Sequence, residues 1–535
     1  MQKNIVLLAV CFILVSMAYA RQEGSALSQN VPSRYKGAES ITPRQLRAYL
    51  EFISSDELEG RNTPSRGLDI AAKYIASHLS RWGFKPAGDD GTFFQKIALV
   101  KNPVDSATTM FELGSQQLVY ATDYIAGLRA GSMTGKLVYV GHGLVLKEKG
   151  LDAYKGIDVQ GKILVWSNAL PKGVTQADLK GEWMNALTYG ANHGATGVII
   201  LPTYASMVTW EQQVRATRQG QFEMEKYREA SLAKLPTVRV NPKGMNAMFQ
   251  GEPTSGASIF NAAAAGEHVE PFELSKSASI RVEFQTQVQY ASNIVAVYEG
   301  SDSKLKQEYV AVGAHYDHVG VGRTVQGDSI YNGADDDGSG TVAVLGIAEA
   351  LAKGPKPERS VLLVWHAGEE KGLWGARYFT DNPTIPLDKV ITQLNIDMIG
   401  RSKKQGDQNP EFSGTHEVFV IGSNMMSSAL GALSERVNKN FYRLQFNYRF
   451  DDPNDRNRFF FRSDHFHYAQ KGVPIIFYFD GTHEDYHRPS DEVQKIDFDK
   501  LAKVTRTVYA TMWELAGDMK RPVVDKQLPP ELTRR

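Results

Sequence analysis

Between residues 291 and 520 the chain alternates between two hydrophobic periods. The runs NIVAVYEG, YVAVGAHYD, SVLLVWHAGEE, ITQLNIDMIG, EVFVIG and VPIIFYFDG have the length and β-branched character of strands covered on both faces. GTVAVLGIAEALAKG and DKLAKVTRTVYATMWELAG instead carry apolar residues at three- and four-residue spacing, which is the signature of helices. This alternation predicts an α/β domain with a mostly parallel central sheet and flanking helices. Near the N-terminus, TPRQLRAYLEFIS and SRGLDIAAKYIASHLSRWGF read as two amphipathic helices around the turn-rich SDELEGRNTPS. From about residue 101 to 290 the pattern shifts to short strands, KLVYVGHG and GKILVWS, and a helix-like EWMNALTYGANHGATGVIILP. The expected division is therefore 40–120, a β-rich α/β insert at 121–265, and a main domain at 285–520.

Composition narrows the partners. The chain has 535 residues, 42% of them hydrophobic and 22% charged, and Lys+Arg equals Asp+Glu at 60 each. No chain-wide field exists to hold nucleic acid or an acidic membrane. The opening MQKNIVLLAVCFILVSMAYARQ joins one Lys, an apolar run from Ile5 to Met17 and small residues at Ala18 and Ala20. That is the layout of a cleaved secretory signal over residues 1–20, too short to span a bilayer, with the cut expected after Ala20. It points to a periplasmic or secreted protein with no stable membrane span. Cys11, the one cysteine, lies inside this leader, so the mature chain is expected to use neither thiol chemistry nor disulfides.

The run Val361–Trp365 ends in two adjacent glutamates, Glu369 and Glu370. Alone, such a pair reads as a solvated acidic turn, and an Asp before Gly-Ser-Gly reads as a helix cap. But ligands in open α/β sheets bind at the carboxyl ends of strands, and the other strand ends are equally loaded. YVAVGAHYDHVG delivers His315 and Asp317, YNGADDDGSG delivers Asp335, Asp336 and Asp337, NIDMIG delivers Asp397, and EDYHRPSDE supplies Tyr486, His487 and Asp491. Burying that many acids together requires cations to neutralise them. Imidazole plus carboxylate without thiolate suits a catalytic zinc site, with cobalt or manganese as alternatives.

AHYDH, GADDDGSG, GEE, NIDM and DYHRPSDE, in this order over residues 313–491, resemble the co-catalytic dizinc aminopeptidase family, whose relatives include glutamate carboxypeptidase and the transferrin receptor. LEGRNTPSRGLDIAAKYIASHLSRWGF is similar to that family's leading segment, and DVQGKILVWS with YGANHGATGVIILP resembles an inserted protease-associated domain. The resemblance implies two Zn2+ per chain, with His315 and Asp397 on one, Glu370 and His487 on the other, and Asp336 bridging. It also implies a cis peptide after Asp336, Glu369 as general base toward the attacking water, Asp317 fixing the His315 tautomer, and Tyr486 donating to the oxyanion. Asp464 and His465 in RSDHFHYAQKG carry no assigned role, and His142, His193 and His318 read as structural or exposed. The implied activity is removal of N-terminal residues from peptides. Carboxypeptidase and glutaminyl cyclase activities of the same fold are the alternatives, and a receptor-like, non-catalytic module is disfavoured by the intact ligand set.

Overall fold

The computed structural model describes Pro32 and residues 35–179, 182–517 and 519–533. The leader read at residues 1–20, with Cys11, lies outside the described residues. Among the described residues no helix is long and apolar enough to cross a membrane. Two compact units divide the chain, one built from residues up to Ile97 and from Tyr290 onward, the other from Ala98–Gln289.

The first unit is organised on a sheet of β1 (Phe94–Lys101), β2 (Gln287–Tyr298), β3 (Tyr309–His315), β4 (Ser360–His366), β5 (Val390–Ile396), β6 (Glu417–Ile421), β7 (Gln445–Asn447) and β8 (Ile475–Phe479). Their spatial order is β1-β2-β4-β3-β5-β8-β6-β7. β4, β3, β5 and β8 form a parallel block, while β2 and β6 run antiparallel against its two sides. Every residue of β4, β5 and β8 is buried, which is why these strands read as unbroken apolar runs instead of alternating ones. The fold is thus the α/β class expected, with its parallel core bounded by antiparallel strands.

Helices α1 (Pro43–Ile53), α2 (Arg66–Arg81), α3 (Gly340–Lys353) and α4 (Phe498–Leu515) follow the periodic segments. Thr42 and Gln45 close a reciprocal capping box at the start of α1, and Ser65 accepts from Leu68 N–H at the start of α2. α1, α3 and α4 pack together. α3 is nearly all small or aliphatic, and it is buried on almost every side.

Between α1 and α2 the turn-rich loop sends Arg61 into the interior, where it is fully buried. Its guanidinium donates to the carbonyls of Tyr316 (2.9 Å), Asn332 (2.8 Å), Gly333 (3.1 Å) and Ile53. Burial pulls its pKa down to about 10, so it stays charged. One cation therefore ties the leading segment to the loops that follow β3 and precede α3.

The second unit carries an eight-stranded mixed sheet in the order 116–118, 110–113, 272–282, 131–139, 163–166, 197–200, 237–240, 124–126. Its core includes Leu137, Ile163, Val165, Ile199, Val238 and Ile280. It is wider than the 121–265 span read from the sequence. Phe272–Val282 completes the sheet by pairing with Met110–Leu113 on one side and Gly131–Tyr139 on the other. Phe272–Val282 alternates buried and exposed positions along FELSKSASIRV, a weaker signal than a continuous apolar run. EWMNALTYGANHGATGVIILP holds a helix over Ala186–Asn192 only, and Gly197–Ile200 is a strand. The β-rich architecture is consistent with a protease-associated-like insert.

Arg61→Lys removes the fork that reaches several carbonyls at once. It is expected to destabilise the first unit by about 2–4 kcal/mol, read as a lower urea midpoint, and an unchanged midpoint would show the tie to be dispensable.

Candidate metal centre

The carboxyl ends of β3, β4, β5 and β8 lie on one edge of the parallel block, and the chemistry-bearing residues gather there. His315 ends β3, Asp397 follows β5 directly, Glu369 and Glu370 follow β4, and Tyr486 and His487 lie in the loop after β8. Asp336 reaches the same place from the turn before α3.

Three adjacent aspartates in that turn do three different things. Asp337 accepts main-chain N–H groups from Gly340 (2.9 Å), Met398 (3.1 Å) and His315 (3.2 Å). A Cβ at position 340 would collide with this carboxylate, so the glycine is required. Asp335 accepts from Gly400 N–H (2.7 Å) and faces His483 Nε2 at 3.2 Å. Asp491 in turn accepts the N–H groups of Asp335 (3.0 Å) and Asp336 (3.1 Å). With its neighbours so engaged, Asp336 alone is left to aim its carboxylate at the imidazoles. The Asp336–Asp337 peptide is cis.

Asp336 faces both ways. Its Oδ1 lies 3.3 Å from His315 Nε2, which is itself 3.7 Å from Asp397 Oδ1. Its Oδ2 lies 3.1 Å from His487 Nε2, which is 3.1 Å from Glu370 Oε2. Two triads, His315–Asp397–Asp336 and His487–Glu370–Asp336, therefore share one carboxylate. His315 Nε2, Asp336 Oδ2, Glu370 Oε1 and His487 Nε2 are buried without a hydrogen-bond partner. Lone pairs converging this way at ion-pair distance are the donor set of a cation site. Asp337 also lies close to His315 and Asp397, but its oxygens are committed to the main chain.

The electrostatics describe a cluster short of positive charge. Burial alone would lower the His315 imidazole, yet Asp397, Asp317 and Asp336 outweigh it and hold the pKa well above the usual range. His487 rises to about 10 because Asp336 and Glu370 overcome its burial. Burial and the charge of Asp336 raise Glu370, but His318 and His487 prevail and bring it down to about 2. Imidazoles that would capture protons this strongly are sites where a metal ion can substitute for them.

Glu369 points elsewhere. Burial first, then the charges of Asp397, Glu370 and Asp464, push its carboxyl well above the usual carboxylate range, although His315 opposes this. It lines a cavity with Asp336, Asp397, Met398 and Tyr486. Tyr486 stacks on the His487 ring at 3.9 Å, and burial with the carboxylates nearby holds its phenol above the usual range, so it is a proton-bearing donor.

Asp317 meets the His315 ring with two of its groups. Its carboxylate stands 3.6 Å from His315 Nδ1, while its main-chain carbonyl lies nearer at 3.1 Å and takes the imidazole's hydrogen bond. The side chain instead accepts from Glu369 N–H (3.1 Å) and Thr63 Oγ1 (3.0 Å). It is a splint for the Glu369 loop, because the turn after β3 brings its own backbone under the ring.

Two participants were not foreseen: His318 read as structural or exposed, and Ser463 carried no reading. His318 is fully buried, with Nδ1 2.8 Å from Glu370 Oε1 and 3.8 Å from Asp336 Oδ2. The only hint was its place one residue beyond Asp317. Ser463 donates to Asp397 Oδ2 at 2.6 Å and accepts from Asn395 Nδ2 at 2.9 Å. Its neighbour Asp464 faces His366 at 3.4 Å behind the site, and His465 bonds the Phe460 carbonyl at 2.8 Å.

Residues 293–512 match the profile described as Peptidase family M28. A protein of Leptosphaeria maculans named "Probable zinc metalloprotease" is 29% identical over 252 residues, 42% of this chain and 57% of its own. A "Probable leucine aminopeptidase" of Trichophyton verrucosum is 27% identical over 233 residues, with the same shares. The chain thus spans a little over half the length of these curated relatives. Among solved structures, an aminopeptidase from Aneurinibacillus sp. strain AM-1 is 17% identical and aligns over 93% of this chain and 99% of its own, with a TM-score of 0.49.

Ser463→Ala removes the donor that orients Asp397. Zinc affinity at the His315–Asp397 triad is expected to fall about ten- to hundredfold, measured by competition with a chromogenic chelator, whereas unaltered affinity would mean that Asp397 needs no such support.

Proposed function

We propose that this chain, a member of peptidase family M28 through residues 293–512, is a zinc aminopeptidase that cleaves the first peptide bond of peptides with a free N-terminus. The observation that carries this reading is the pair of His and carboxylate triads sharing Asp336, with Glu369 outside both and facing the same cavity. His315 and Asp397 would hold one zinc ion, His487 and Glu370 a second, and Asp336 both. Zinc in those positions supplies the Lewis acid that polarises the scissile carbonyl.

The remaining steps belong to side chains. Glu369, anchored through its N–H to Asp317, takes a proton from the attacking water and returns it to the departing amine. Tyr486 donates to the oxygen on which negative charge develops. The carboxylates lining the cavity, Asp336, Asp397 and Glu369, can accept hydrogen bonds from a free α-amino group, which favours the free amino end. We further propose an exported, periplasmic or secreted protein, on the strength of the leader-like pattern before Arg21.

Purified protein is expected to contain two zinc ions per chain by elemental analysis. Glu369→Gln should keep that content while kcat falls about a hundredfold or more, and near-normal turnover would remove Glu369 from the base role. A peptide with a free amine should be cleaved far faster than its N-acetylated counterpart. Equal cleavage of the two would overturn the aminopeptidase reading, and one zinc with pyroglutamate formation from N-terminal glutamine would replace it by a cyclase.

A further inference from the structure

We infer that Arg462 binds a carboxylate of the substrate, so that the protein favours short peptides bearing an amine at one end and a carboxylate close beyond the scissile bond. This deepens the aminopeptidase reading and rests on it. Arg462 lines the same cavity as Asp336, Asp397, Glu369 and Tyr486. Arg462 is the one cation of that lining. No carboxylate stands within ion-pair distance of it among the described residues.

The backbone holds this position firmly. Arg462 follows the single turn Phe459–Phe461, and its N–H donates to the Phe459 carbonyl at 3.1 Å. The next residue, Ser463, is fixed to Asp397 and Asn395. The guanidinium stacks 4.9 Å from the centre of the Phe459 ring, which supports its plane and leaves its N–H edge available. A planar fork of this kind is suited to bidentate recognition of a carboxylate.

The lining therefore combines carboxylates with one cation. A free α-amino group finds hydrogen-bond acceptors in the first, and a substrate carboxylate finds its partner in the second. Buried Phe477 and Phe479 also line the cavity and offer an apolar wall to a side chain. A dipeptide presents all three features. The carboxylate has two sources, the C-terminal group of a dipeptide or an acidic side chain following the scissile bond, and both present the same chemistry to Arg462.

The test compares Phe-Gly, Phe-Gly-amide and Phe-Asp-amide. Binding is measured by calorimetry on the zinc-loaded, full-length Glu369→Gln protein with Arg462 intact and with Arg462→Gln or Arg462→Lys added. KM and kcat are measured on the corresponding enzymes with Glu369 restored. With Arg462 present, a free carboxylate is expected to tighten binding about ten- to hundredfold over Phe-Gly-amide. Arg462→Gln should bring the ratio close to one, Arg462→Lys should retain part of it, and the change should appear in KM more than in kcat. A preference for Phe-Gly identifies the C-terminal group, and a preference for Phe-Asp-amide identifies the side chain. Equal binding of acid and amide by the Arg462 protein, or a preference that survives Arg462→Gln, overturns the inference. General damage from the substitution weakens all three peptides together and leaves their ratio intact, which counts against it as well. Failure of the aminopeptidase reading looks different: no free-amine peptide is turned over, while the calorimetric ratio still decides the role of Arg462.

Discussion

The carboxylate of Asp337 is the tie on which the centre depends. It accepts N–H groups from the end of β3, from the residue after Asp397 and from the first turn of α3, and so joins three segments at one point. The sheet already sets β3 beside β5, and this carboxylate adds the turn that carries Asp336 to the same frame. A buried carboxylate is costly unless its oxygens are satisfied, so the arrangement works only as a whole. Asp335, Asp491 and Arg401 continue the same logic one layer further back.

Adjacent identical residues are here divided in function by the backbone alone. Asp335, Asp336 and Asp337 face three different environments because the turn before α3 departs from helical geometry at Asp336 and Asp337. Glu369 and Glu370 diverge because the chain is leaving β4. Left-handed conformations at Met398 (φ 57) and His487 (φ 54) add to this, since such conformations cost energy and persist only where the surroundings enforce them.

Much of this was legible in the sequence, for physical reasons. Strands buried on both faces must be apolar, so their ends stand out, and acids and imidazoles at successive ends signal convergence without any knowledge of distances. What was not legible depended on where loops go. Whether the carboxylate or the carbonyl of Asp317 meets His315 is a matter of one turn. His318 differs from an ordinary buried histidine only by what Glu370 brings to it. Arg462 has no periodic pattern around it and acquires meaning only from the cavity it enters. The change of pattern at about 101–290 follows the second unit, Ala98–Gln289, but the narrower insert bounds of 121–265 leave out half-exposed strands such as Phe272–Val282, whose hydrophobic signal is weak.

β1 and β2 are neighbours in the sheet of the first unit, and the chain departs for the second unit along one and comes back along the other. The ends of that long excursion are already joined by the ladder, and the entropy of closing a loop grows only slowly with its length. This junction is therefore a place where lineages can gain, trade or discard a module without rethreading the enzyme.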